Sequence, residues 1–237
     1  MRNLKRMGAI LMALALVLSL NLTAFAAVED TGFSDVATDA WYAGAVEYVR
    51  DNGLMSGTSA TTFEPESTMT RAMLATTLYR AAGSPAVSGS DSFTDTADGA
   101  WYADAVLWAS QQGVISGYGN NLFGANDPVT REQIATILWR YAGSPTAEAG
   151  QDFADESEIS SYAAAAVDWA RANGVVSGAD GNRFLPRNNA TRAQVATILR
   201  NYLTMSAPVE PEQPEQPSEE SRVLVAYFSA TGNTERV

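Results

Sequence analysis

The dipeptide Thr-Arg occurs at Thr70-Arg71, Thr130-Arg131 and Thr191-Arg192, spaced by 60 and 61 residues. Each copy opens a stretch with apolar residues at helical spacing. An Arg at a first helical position lies beside N–H groups that a helix leaves unpaired, at the positive end of its dipole. A guanidinium and such N–H groups together suit a carboxylate. The same Arg residues have a plainer reading, pairing with acidic neighbours on a solvated face. A second repeated element is a Gly-x-x-Ser-Gly loop, ending in Ser56-Gly57, Ser116-Gly117 and Ser177-Gly178. Its small residues allow close approach of a ligand to the backbone, or simply supply positive φ. Trp41-Tyr42 and Trp101-Tyr102 open two helical runs, and Ser161 stands in the third copy where the others have Trp. Aromatics in that place are expected to pack inward. Asp35, Asp95 and Asp155 are expected to serve turns or caps.

Catalytic chemistry is poorly provided for. The chain has no His and no Cys, which removes the commonest general base, thiolate nucleophiles and disulfides. A glycan-cleaving site needs a pair of carboxylates; acidic residues such as Asp51, Glu64, Glu66, Asp104, Glu132 and Asp168 are plentiful, but no repeat-wide carboxylate pair stands out.

The elements that must position these residues come in three copies. FSDV at Phe33 recurs as FTDT at Phe93 and FADE at Phe153. Each lead-in is followed by a helical run: WYAGAVEYVRDNG, WYADAVLWASQQG and SYAAAAVDWARANG, the third with one extra residue. In the first, Ala45, Val46, Tyr48 and Val49 form an apolar stripe, Thr38 or Asp39 is placed to cap the start, and Gly53 ends it. A Gly- and Pro-punctuated loop passes Phe63, Phe123 or Phe184 and leads to a second helix. Thr130 with Gln133 and Thr191 with Gln194 match a capping box, whereas Thr70 has Met73 and keeps only the N-cap. Geometry at the first copy's helix start is therefore the most doubtful. Leu74, Leu78, Ile134, Ile137 and Leu138 face inward at helical spacing. The fold class is mainly α, with helix–loop–helix repeats at residues 30–86, 90–146 and 150–205. A unit of about 50–60 residues is marginal alone, so the three are expected to share a core.

The flanks differ in kind. Residues 1–26 have a basic start (Arg2, Lys5, Arg6), a short apolar run and Ala24-Phe25-Ala26, the pattern of a signal peptide cleaved before Ala27. Its removal takes the only lysine, so every later basic residue is Arg, which favours planar, bidentate carboxylate recognition. The net charge of −12 makes nucleic acid and anionic membranes poor partners. Residues 206–221 are a Pro- and Glu-rich linker. Residues 222–237 hold VLVAYFS and then SATGNT, a buried-strand pattern followed by a hydroxyl- and N–H-rich loop suited to phosphate.

Taken together, the FxDV-like lead-ins, the Trp-Tyr pairs, the GxxSG loops and the Thr-Arg helix starts resemble S-layer homology modules over about residues 30–205. The resemblance implies a pseudo-threefold spindle of three repeats around a shared helical core. It also implies a non-enzymatic, exported anchoring role at the cell wall of a Gram-positive-type bacterium, by non-covalent binding, in grooves between the repeats, of secondary cell-wall polysaccharide that is often pyruvylated. It places Arg71, Arg131 and Arg192 on the acid group, with Ser56, Gly57, Ser116, Gly117, Ser177, Gly178, Trp41 and Trp101 as further glycan contacts. The family motif continues Thr-Arg-Ala-Glu, and this chain departs from it at Met73, Gln133 and Gln194. The tail resembles the start of a flavodoxin-like α/β domain, which implies FMN phosphate binding by Ser229, Thr231, Gly232, Asn233 and Thr234. Such a domain needs on the order of 100–150 residues, so the sequence is expected to be either part of a longer protein or the product of a reading frame that ends early. The alternative function is then a surface-tethered FMN oxidoreductase.

Overall fold

The computed structural model describes residues 31–147, 152–179 and 181–205. The expected signal peptide at 1–26, the expected linker at 206–221 and the expected flavodoxin-like start at 222–237, with its residues 229–234, lie outside these. Six α-helices occur within the described residues: α1 (Ala43–Asp51), α2 (Arg71–Ala81), α3 (Ala103–Gln111), α4 (Arg131–Tyr141), α5 (Ala164–Ala172) and α6 (Arg192–Thr204). The fold is mainly α, and the only β-pairing among the described residues is isolated bridges.

Local chemistry sets the second helices. Thr70, Thr130 and Thr191 have extended backbone at the N-cap, and their side chains accept from the N–H of Met73, Gln133 and Gln194. Both Gln residues complete the capping box. Met73 does not, yet α2 starts at the same place, so the doubt about the first copy's helix is not sustained: the Thr cap suffices. The first helices start differently from expectation. Neither Thr38 nor Asp39 caps α1; it begins at Ala43, after a turn in which Ala43 N–H donates to Ala40 O. Its N-cap residue, Tyr42, makes no side-chain cap bond. Gly53, Gly113 and Gly174 end α1, α3 and α5 at φ of 66°, 67° and 67°. That left-handed step turns the N–H groups of Leu54 and Met55 back onto Val49 O.

The helices of one repeat are not each other's main partners. α2 packs on α3, α4 on α5 and α6 on α1, so each second helix meets the first helix of the next repeat. The segments entering the second helices are tied in a circle. Met69 N–H donates to Ala190 O, Ala190 N–H to Val129 O and Val129 N–H to Met69 O, at 2.9–3.0 Å. The core follows from this: Val46, Val49, Leu74, Leu78, Ile134, Leu138 and Leu199 are fully buried, as are Phe63, Phe123 and Phe184. Each loop Phe packs on its own lead-in Phe, with ring centroids 5.2–5.4 Å apart.

Candidate functional site: three grooves between repeats

The three Thr-Arg arginines cross to the following repeat. Arg71 Nε donates to Phe123 O at 2.9 Å and Nη2 to Ser116 O at 2.8 Å. Arg131 repeats this on Phe184 O and Ser177 O at 2.6 and 3.3 Å. Arg192 does so on Phe63 O and Ser56 O at 2.8 and 2.7 Å. The predicted Arg and Ser-Gly residues are thus brought together from different copies, between repeats as expected. The guanidinium carbons lie 4.3–5.1 Å from aromatic ring centres, Arg71 over Tyr118 and Phe123, Arg131 over Phe184 and Arg192 over Phe63. Burial lowers the pKa of all three guanidinium groups from their ordinary value. No ion pair among the described residues involves them, which removes the reading of solvated surface pairs.

The expectation of free N–H groups at these helix starts is overturned. Arg71 and Ala72 donate their N–H groups to Asp127 O and Ala125 O, Arg131 and Glu132 to Asn188 O and Pro186 O, and Arg192 and Ala193 to Ser67 O and Pro65 O. The Thr side chain takes the next N–H. The repeat interface has used the donors that an isolated helix would offer to an anion.

Asp35, Asp95 and Asp155 are turn residues, as expected. Each carboxylate accepts two successive N–H groups, from Phe63 and Glu64, Phe123 and Gly124, or Phe184 and Leu185, at 2.7–2.8 Å. Burial alone raises these carboxyl pKa values. The backbone bonds, with a nearby guanidinium, more than reverse that, so all three lie below the ordinary 3.8. Gly57, Gly117 and Gly178 are not required for positive φ. A Cβ on Gly117 would lie 2.5 Å from Leu122 O and 2.6 Å from the Phe93 ring; on Gly178 it would meet Asn182. The glycine admits the loop's own backbone.

Trp41 and Trp101 do not pack inward. They are 67% and 64% exposed, standing edge-on to the partly buried Tyr42 and Tyr102. The third repeat keeps an aromatic in this place. The extra residue shifts the register, so that Ala163 is the N-cap of α5 and Tyr162 stands where Trp41 and Trp101 stand, 53% exposed. Glu132, buried at the start of α4, holds it: Oε1 accepts from Tyr162 OH at 3.0 Å and from Ser160 Oγ at 2.9 Å, and Oε2 accepts from Ser160 N–H at 3.0 Å. Burial, and then the Glu132 carboxylate, push the Tyr162 phenol pKa up. Glu132 was missed as a site-building residue. Its signal was a Glu where Ala72 and Ala193 stand in the other copies, paired with an insertion in the next repeat.

Each groove therefore draws on all three repeats. A cavity of about 180 Å³ combines Ser56, Gly57 and Arg80 with Arg192 and Trp101. One of about 330 Å³ combines Ser116, Gly117 and Arg140 with Arg71 and Tyr162. One of about 410 Å³ combines Ser177, Gly178 and Asn201 with Arg131 and Trp41.

Known proteins are similar to this chain. The family model for the S-layer homology domain matches residues 32–73, 92–135 and 152–196, more than half of the chain. Amylopullulanase of Thermoanaerobacterium thermosulfurigenes is 32% identical over 191 residues, which are 78% of this chain and 10% of that protein. The surface-layer 125 kDa protein of Lysinibacillus sphaericus is 30% identical over 65% of this chain and 13% of its own length. The cellulosome-anchoring protein of Acetivibrio thermocellus is 25% identical over 60% and 33%. The chain thus spans between a tenth and a third of the length of these relatives.

Proposed function

Because the chain belongs to the S-layer homology family and is a cell-surface anchoring module, we propose that it anchors by binding an acidic secondary cell-wall polysaccharide in the three grooves. The repeats act as a pseudo-threefold spindle, a reading supported by the circular helix pairing and the closed ring of backbone bonds. The observation that carries the proposal is the recurrence of one set of groups in each groove: an exposed aromatic ring, a guanidinium and a Ser-Gly loop. The ring offers an apolar face to the C–H side of a sugar. The guanidinium, held flat by its carbonyl partners, keeps its remaining N–H edge for an oxygen of the sugar, a hydroxyl or a carboxylate such as a pyruvyl ketal. Weak single sites gain by avidity when one polymer reaches more than one groove. Both partners are acidic, so the attraction comes from these local Arg sites. The leader at residues 1–26 supplies export, and the SATGNT motif supplies a second proposal, FMN binding by the C-terminal part of a longer protein.

The test is sedimentation of the purified protein with isolated cell walls, before and after removal of wall-linked polysaccharide and, separately, of its ketal-pyruvyl groups. Co-sedimentation lost on both treatments is expected. Binding that survives depyruvylation removes the carboxylate from the mechanism; binding that survives polysaccharide removal sinks the proposal.

A further inference from the structure

The three grooves differ in charge at one position. α2, α4 and α6 present matching residues to their grooves, and the residue nine places after the Thr-Arg arginine is Arg80, Arg140 or Asn201. Arg80 Nη1 donates to Leu54 O at 3.2 Å, and Asn201 Nδ2 donates to the matching Val175 O at 3.4 Å. Asn201 thus keeps the bond and removes the charge. Arg80 and Arg140 are exposed, and no ion pair among the described residues involves either. The Thr-Arg arginines are held differently, with Nε and Nη2 of each already bonded to carbonyls. Two grooves therefore hold two guanidinium groups, one of them on the open side, and the third holds one. That third groove is also the roomiest, and it presents Trp41, Gln194, Thr197 and Asn201: an indole, two amides and a hydroxyl.

A carboxylate leaving water needs charge-assisted donors to offset its lost hydration, whereas a sugar hydroxyl is satisfied by amides. We propose that the Ser56-Gly57 and Ser116-Gly117 grooves take an acidic sugar residue and the Ser177-Gly178 groove a neutral one. Arg80, Arg140 and Asn201 determine this specificity. The inference rests on the wall-polysaccharide reading above and goes beyond it by assigning different sugars to grooves that the repeats would make alike.

The experiment is a site-resolved NMR titration of the whole protein with the 4,6-pyruvyl ketal of methyl glucopyranoside, and with methyl glucopyranoside itself. The Trp101 indole reports the first groove, the Tyr162 ring the second and the Trp41 indole the third. The ketal is expected to shift Trp101 and Tyr162 at concentrations at least about tenfold below those that shift Trp41. Arg80→Gln is expected to raise the concentration that shifts Trp101, and Trp101 alone, into the range of Trp41, and Arg140→Gln to do the same for Tyr162 alone. Asn201→Arg is expected to bring Trp41 into line with the other two. Equal responses in all three grooves, no response to the ketal, or no gain in Asn201→Arg would overturn the proposal. If the same samples still sediment with walls, anchoring stands and only the division of grooves falls; if folded protein does not sediment with walls, the anchoring reading falls with it.

Discussion

At the scale of single residues, buried charges tie one loop or repeat to the next. Asp155 is almost fully buried, accepts two backbone N–H groups and lies 3.8 Å from Arg183. Asp155→Ala orphans both donors and is expected to cost about 3 kcal/mol in urea unfolding. Its folded pKa lies below the ordinary 3.8, so its contribution is complete above that pH and is lost as pH falls through the lower folded value. The apparent unfolding temperature of the wild type is therefore expected to drop below about pH 4, and the drop is expected to be smaller in Asp155→Asn. Arg131→Ala leaves Phe184 O and Ser177 O without their donor, with an expected loss of about 2–4 kcal/mol. Arg131→Lys does not restore it, because an ammonium cannot reproduce a planar fork on two carbonyls. Wall binding by Arg131 variants is then interpretable only beside their measured stability.

At the scale of the element, the Gly-x-x-Ser-Gly loop is a close-packed turn whose carbonyls face an arginine from the preceding repeat, cyclically. Gly117→Ala drives a methyl group into Leu122 O and the Phe93 ring. The expected cost is about 1–3 kcal/mol in chemical denaturation, with the Phe93–Phe123 pair displaced. The capping threonines act more locally. Thr130→Ala is expected to cost about 1 kcal/mol, measured in the same way. Glu132→Gln tests the aromatic in the second groove. Tyr162 OH is held by a carboxylate in the wild type, and its phenol is expected to ionise at a lower pH in the variant, read by ultraviolet absorbance difference against the wild type.

At the scale of the whole molecule, the circle has no free end among the three repeats. α6 closes on α1, and the Met69–Ala190–Val129 ring joins all three copies. Unfolding is therefore expected to be a single transition, with far-ultraviolet circular dichroism and Trp fluorescence coinciding through a urea titration. A chain ending at residue 146 lacks the partners of α1 and α4, and is expected to show no cooperative transition. Separate transitions in the chain that holds all three repeats, or a cooperative one in the shortened chain, would show that the circle is not the unit of stability.

The sequence by itself determined the number of repeats, the helices, the Thr caps and the glycine stops, because those depend on residues within a few positions of one another. Asp35, Asp95 and Asp155 were legible as turn residues for the same reason: the lead-in and the loop belong to one copy. The grooves were legible only as an inventory. The resemblance implied grooves between repeats, but local spacing did not say which copies pair: Arg71 serves Ser116 and Arg192 serves Ser56. Tertiary structure also decided that the helix-start N–H groups are occupied, that Trp41 and Trp101 face outward, and that Tyr162 replaces the missing Trp. The physical reason is common to all three. Each repeat buries its second helix against its neighbour, so what a side chain meets is set by a partner some 45 to 136 residues away along the chain, and local periodicity carries no record of it.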